Sequence, residues 1–199
     1  MRSEHRATPP EAARTAGTPA SVLVLTLPGW QSSGAGHWQT LWEQRHGDRR
    51  VEQHDWVRPL RGDWLARLDE VLLALPPDQS VVLAAHSLGC IQVAAWADHS
   101  RLTARVRGAL LVAPGDVERD DLRVQLPGWA PIVRRRLPFR SLLLGSRNDP
   151  YCRQERAQAM AQDWGAIYHD MGAGGHLNAE SGLGDWPAAR ALLEELQKD

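Results

Sequence analysis

Apolar positions along this chain fall into two alternating kinds of run. Short unbroken stretches, SVLVLTL (21–27), SVVLAA (80–85), VRGALLVAP (106–114) and FRSLLLGS (139–146), read as strands covered on both faces. AIYHDM (166–171) is a further strand and RVEQHDW (50–56) a weaker one. Between them lie stretches of helical character. HWQTLWEQR (37–45) is a short helix, and GDWLARLDEVLLALP places Trp64, Leu65, Leu68, Leu72 and Leu75 at helical spacing. Asp63 is the expected N-cap of that helix, and Pro76-Pro77 ends it. LGCIQVAAWADHS, DPYCRQERAQAMAQDW and DWPAARALLEEL are three more helices, the last with Pro187 in its first turn. The stretch GDVERDDLRVQLPGWAPIVRRRLP between two of the strands reads as irregular. No internal repeat is present. The alternation predicts a three-layer α/β fold: about six strands in a mostly parallel sheet, with helices on both faces. Ligands of such sheets sit at the carboxyl ends of the strands.

Composition narrows the class without changing it. At 199 residues the chain supports one core, expected over 21–199. Residues 1–20, rich in Pro, Ala, Thr and charge, read as a disordered leader without a signal-peptide apolar segment. The 43% hydrophobic content and net charge of −1 describe a soluble protein with no broad electrostatic attraction to nucleic acid or an anionic membrane. The one basic cluster, Arg134 to Arg136, reads as a solvated turn. Lys198 is the only lysine, which points to an arginine-rich, GC-rich bacterial source. Two cysteines, Cys90 and Cys152, make no disulfide framework, so a reducing, cytoplasmic setting is expected. No Cys/His spacing suits a metal, and neither a metal nor another cofactor is expected.

The chemistry sits at the strand ends. Strand, then AHSLG (85–89), then helix is the order of a nucleophile elbow, G-x-S-x-G, with Ala85 in place of the first glycine. So short a motif arises by chance on the order of 0.1 times in a chain this long, and its placement is what gives it meaning. The turn is sharp enough that only small residues fit two positions either side of Ser87. A serine needs a base and the base an orienting acid, in the chain order Ser, Asp/Glu, His. Of eight histidines, His176 stands alone in following the last strand within a glycine-rich loop, MGAGGHLN. His86 is expected to turn away from Oγ, and His37 opens a helix near the site. Asp149, just past the strand at 141–145, is the preferred acid, with Asp116 its competitor. For the oxyanion the expected donors are the N–H groups of Leu88 and Trp30, with Gln31 second to Trp30. Trp30, Gln31 and Trp129 are the expected substrate contacts. The 24 residues from 115 to 138, which include Leu126 and Trp129, are too few for a large cap domain and leave the site open.

On LPGW…HWQTLWE, AHSLG, GSRNDPYC and GAGGHLNAESGLGDWP, residues 21 to 196 resemble small α/β-hydrolases grouped with a retinoblastoma-binding protein. The resemblance implies a serine hydrolase with Ser87 as nucleophile, Asp149 as acid and His176 as base, in a compact fold without a large cap. It supplies no physiological substrate. The Leu-x-Cys-x-Glu motif that retinoblastoma binding needs is absent. The expected activity is hydrolysis of a small-molecule carboxylic ester, thioester or amide. The alternatives are acyl transfer by the same triad and a non-catalytic binding or scaffolding role.

Overall fold

The structure, a computed structural model, describes residues 22–198, so the expected leader at 1–20 lies outside it. Six strands form one parallel sheet: β1 (Leu23–Leu27), β2 (Arg49–Arg50), β3 (Val81–His86), β4 (Val106–Val112), β5 (Arg140–Gly145) and β6 (Ile167–Asp170). Their spatial order is β2-β1-β3-β4-β5-β6. The chain runs outward from β1 to β2, then returns to build β3 on the other side. The crevice between the carboxyl ends of β1 and β3 is therefore where the winding reverses, the favoured place for a ligand.

Alternate residues of each strand feed two cores. Leu25, Leu27, Leu83, Ala85, Leu111 and Leu143 face one side, where they meet helices α2 (Arg61–Leu73), α3 (Leu88–Ala97) and α5 (Gln154–Trp164). Val24, Val82, Ala84, Leu110, Val112 and Leu144 face the other, against α1 (Trp38–His46) and α6 (Pro187–Gln197). Burial on both faces is why these strands read as continuous apolar runs. On the second face Trp38 meets Trp42 and Trp186 edge to face, with ring centroids 4.7 and 6.0 Å apart.

Three local expectations are corrected. The strand expected over 50–56 shrinks to the two-residue β2, because the chain leaves the sheet edge after Val51 N–H bonds the Thr26 carbonyl. The N-cap of α2 is Leu60, not Asp63. Asp63 lies inside the first turn, where its carboxylate faces the positive end of the helix. The 115–138 stretch is not wholly irregular, since it holds a short helix, α4 (Asp120–Gln125). Among the described residues nothing larger rises there, so no large cap covers the sheet.

Gly89 sets how closely α3 crosses the sheet. A Cβ at Gly89 would lie 2.2 Å from the Leu27 carbonyl oxygen and 3.0 Å from that of Pro28. Both are backbone atoms and cannot rotate aside. Gly62, in the first turn of α2, has open space around it. An alanine gains about 0.5–1 kcal/mol of helix propensity at either position. At Gly89 the overlap costs more, typically 1–3 kcal/mol and occasionally beyond. Gly62→Ala is expected to raise the urea midpoint and Gly89→Ala to lower it. Equal or higher stability of Gly89→Ala would contradict the close approach.

Candidate active site

Ser87 sits between β3 and α3 with φ 54° and ψ −119°, a backbone conformation unfavourable for a non-glycine residue. Its neighbours hold it there: the Ser87 N–H donates to the Val112 carbonyl at 3.0 Å. Gly29, in the loop after β1, crosses directly above it. A Cβ on Gly29 would stand 2.7 Å from Ser87 Cβ and 3.2 Å from Oγ. Ser87 is thus held in a strained conformation at the point where the winding of the sheet reverses.

The glycine-rich loop after β6 brings His176 to this serine. His176 Nε2 lies 3.0 Å from Ser87 Oγ, and Nδ1 lies 2.9 Å from each carboxylate oxygen of Asp149. A carboxylate only accepts, so Nδ1 carries the proton and Nε2 presents its lone pair to the hydroxyl. The pair is withdrawn from water, with side-chain exposures of 9% for His176 and 2% for Asp149. Asp149 also accepts the Tyr151 N–H at 2.9 Å, and the Tyr151 ring meets the His176 ring at 4.5 Å. Asp116 is engaged elsewhere, paired with Arg156 at 3.3 Å.

Two loops grip each other to keep this geometry. Asn148 Oδ1 accepts the Gly175 N–H at 2.7 Å, and Ser146 Oγ accepts the Gly174 N–H at 3.0 Å. From below, His86 Nε2 bonds the His176 carbonyl at 2.9 Å, and the Trp38 indole N–H donates to the Leu177 carbonyl at 3.0 Å. His86 makes no hydrogen bond to Ser87, yet it belongs to the site: its ring packs 4.7 Å from that of His176. The supporting roles of His86, Ser146 and Asn148 were not foreseen. Nothing in the sequence distinguishes them from ordinary turn residues, although Ser146 and Asn148 fall in a stretch that carries the family resemblance.

A cavity of about 390 Å³ opens over Ser87 and His176, lined in part by Trp30, Gln31, Leu122 and Leu126. Trp30 and Gln31 thus stand in the wall of the cavity over Ser87. The Trp30 N–H has no partner among the described residues, while the Gln31 N–H is spent on the Trp56 carbonyl at 2.9 Å. Leu88 opens α3, and its N–H is one of the first-turn donors without an intrahelical acceptor. Trp129 is a correction. It is 0% exposed, packs against Trp64, bonds the Pro59 carbonyl through its indole, and lies outside the cavity lining. An indole buries its large apolar surface more favourably in the core beneath the mouth, where its N–H still finds an acceptor. Leu122 and Leu126 line the cavity from that segment instead. Among the described residues no group of three His, Cys, Asp or Glu is placed to hold a metal ion. None of their helices is long and apolar enough to cross a membrane.

The sequence profile of the serine hydrolase family matches residues 24–195. The chain belongs to the serine hydrolase family. Its fold is that of α/β-hydrolases of known structure. A protein termed a YdeN-like hydrolase, from Pectobacterium atrosepticum, is 28% identical, with a TM-score of 0.76 over 90% of this chain and 94% of that one. The monoacylglycerol lipase of Paleococcus ferrophilus has a TM-score of 0.65 at 14% identity, covering 91% of this chain and 96% of that one. The esterase RhEst1 of a Rhodococcus species reaches 0.63 at 14% identity, covering 90% and 93%. No curated protein matches the chain.

His37 lines the same cavity and caps α1: its Nδ1 accepts the Gln39 N–H at 3.2 Å. Burial, aided by the neighbouring His176 and Arg50, lowers its pKa from 6.5 to about 3. His86 is pushed well below its ordinary value for the same first reason, burial. Burial thus favours the neutral form of both imidazoles in the folded protein. A folded pKa below the unfolded one means the unfolded chain takes up the proton first as pH falls. The stability that His37 contributes is complete above about pH 6.5 and is lost as pH falls toward 3. His37→Asn keeps a capping acceptor and removes this titration. Between pH 6 and 4 the wild type is expected to lose up to about 1.4 kcal/mol per pH unit more than the variant in urea titrations. Parallel acid limbs would contradict a buried neutral His37.

Proposed function

We propose that the protein hydrolyses carboxylic esters, with thioesters and amides of similar shape within its chemistry, through an acyl-enzyme on Ser87. The observation that carries this reading is the line of contacts from Ser87 Oγ to His176 Nε2 at 3.0 Å and on to Asp149 at 2.9 Å, at the floor of a cavity. In this reading Ser87 attacks the carbonyl carbon as His176 takes its proton, and Asp149 stabilises the imidazolium. The N–H groups of Leu88 and Trp30 receive the developing oxyanion, Gln31 being already engaged. His176 then protonates the leaving alcohol, and a water, activated by the same imidazole, releases the acid. Nucleophile, base and electrostatic support all come from the chain, so the reaction needs no metal. The lipase and esterase among the structural neighbours share the fold, and the ester class rests on the site itself. Within the family, GSRNDPYC and GAGGHLN favour the branch that includes a retinoblastoma-binding protein. The free, buried Cys90 and Cys152 suit a reducing cytoplasm.

Ser87→Ala and His176→Ala are each expected to lower ester hydrolysis by several orders of magnitude, with the double variant little worse, because the residues act as a unit. A fluorophosphonate probe should label wild type and leave Ser87→Ala unlabelled. Full activity in a folded Ser87→Ala protein would sink the mechanism.

The cavity holds about 390 Å³, and Leu122 of α4 and Leu126, which caps it, supply its apolar wall with Val117. Each CH₂ of an acyl chain left outside forgoes about 0.8 kcal/mol of binding. Short-chain p-nitrophenyl esters should therefore show higher kcat/KM than long-chain ones, and Leu126→Ala should shift this profile. Trp129→Ala should instead cost about 3–5 kcal/mol of stability, the usual loss for a core tryptophan. An optimum at C12 or longer would show an acyl channel that the open site does not provide.

A further inference from the structure

We propose that the site is divided, taking an apolar acyl group on one side of Ser87 and a positively charged alcohol on the other, with Glu180 reading that charge. The inference rests on the mechanism above, since the leaving oxygen must face the atom that protonates it. That atom is His176 Nε2, so the alcohol departs past the chain that follows His176.

The two sides differ in chemistry. Val117, Leu122 and Leu126 follow β4 and give the cavity an apolar wall on that flank of β3. On the other flank, Ala179 lies against the loop after β1, 3.8 Å from where a Cβ on Gly36 would stand. Asn178, Ala179 and Glu180 complete the lining there. This wall is fixed in place. Residues 179–181 form a single 3-10 turn in which Asn178 Oδ1 accepts the Glu180 N–H at 3.0 Å and Ser181 Oγ accepts the Asn178 N–H at 3.2 Å.

Among the described residues that line the cavity, Glu180 is the only one with a formal charge while the imidazoles are neutral, and no Arg or Lys joins it. The cations nearby are already matched. Arg50 is bound by Glu43, Ser32 and Thr40, and Arg119 by Asp121. Glu180 has no ion pair among the described residues, so its field is not cancelled locally. An ammonium on the alcohol gains from this carboxylate, whereas a phosphate or carboxylate there meets a like charge.

The test compares two esters that share acyl group and shape: butyrylcholine and its neutral isostere, 3,3-dimethylbutyl butyrate. One carboxylate acting across a partly exposed site should favour the choline ester by roughly threefold to tenfold in kcat/KM at low salt. The ratio should fall as ionic strength rises. Glu180→Gln should bring it close to one, and Glu180→Lys should invert it. A wild-type ratio near one, or a ratio that Glu180→Gln leaves intact, overturns the proposal and leaves the Ser87 mechanism standing. Hydrolysis of neither ester by protein whose Ser87 takes up the fluorophosphonate probe has the same meaning. Loss of both hydrolysis and labelling overturns the mechanism, and this proposal with it.

Discussion

Everything at this site depends on how closely α3 passes the end of β1. The approach is possible because Gly89 has no side chain where the Leu27 and Pro28 carbonyls stand. It allows the chain to turn from strand to helix through one residue, and that residue is Ser87, driven to positive φ. The strain is held by sheet and helix on either side, β3 buried throughout and α3 buried from Leu88 to Trp96. A rigid scaffold can keep such a residue in an unfavourable conformation because relaxing it would disrupt packing worth more. The same closeness brings the loop after β1 over the serine, so Ser87 and the Trp30 N–H are set by one packing event.

His176 comes to the serine differently. No regular element carries it. Its loop is held by side chains and backbone from three directions: Ser146 and Asn148 from the turn after β5, His86 from β3, and Trp38 from α1. Several left-handed residues between Gly172 and Gly182 let the loop fold back onto these partners. The histidine is thus located by hydrogen bonds to its own main chain, with Asp149 left to fix the ring.

Much of this was legible in the sequence. Strands buried on both faces leave unbroken apolar runs, and five of the six strands were found within one or two residues. β2 was overextended because alternating polar residues at 50–56 mimic an exposed strand, while only the sheet edge decides where pairing stops. Asp63 was misplaced because an acidic residue in a first turn and one at the cap satisfy the same helix end. Ser87, Asp149 and His176 could be singled out because each follows a strand at the same end of the sheet. Trp129 could not be placed, since a tryptophan near a site in sequence carries no sign of whether it faces the ligand or the core. The part played by His86 was hidden for a related reason: its partner is a backbone carbonyl, which every residue has.

That last point extends to the tryptophans. The indole N–H groups of Trp30, Trp38, Trp42, Trp64, Trp129 and Trp164 all donate to main-chain carbonyls, five of them in the loops at 55–59 and 177–185. A tether of this kind recognises the path of a loop and is blind to its side chains. The loops around the mouth can therefore change their residues, and with them the chemistry they show a substrate, without coming loose from the frame. Diversification of specificity and preservation of the catalytic geometry are assigned to different atoms, and a lineage built this way can vary one while keeping the other.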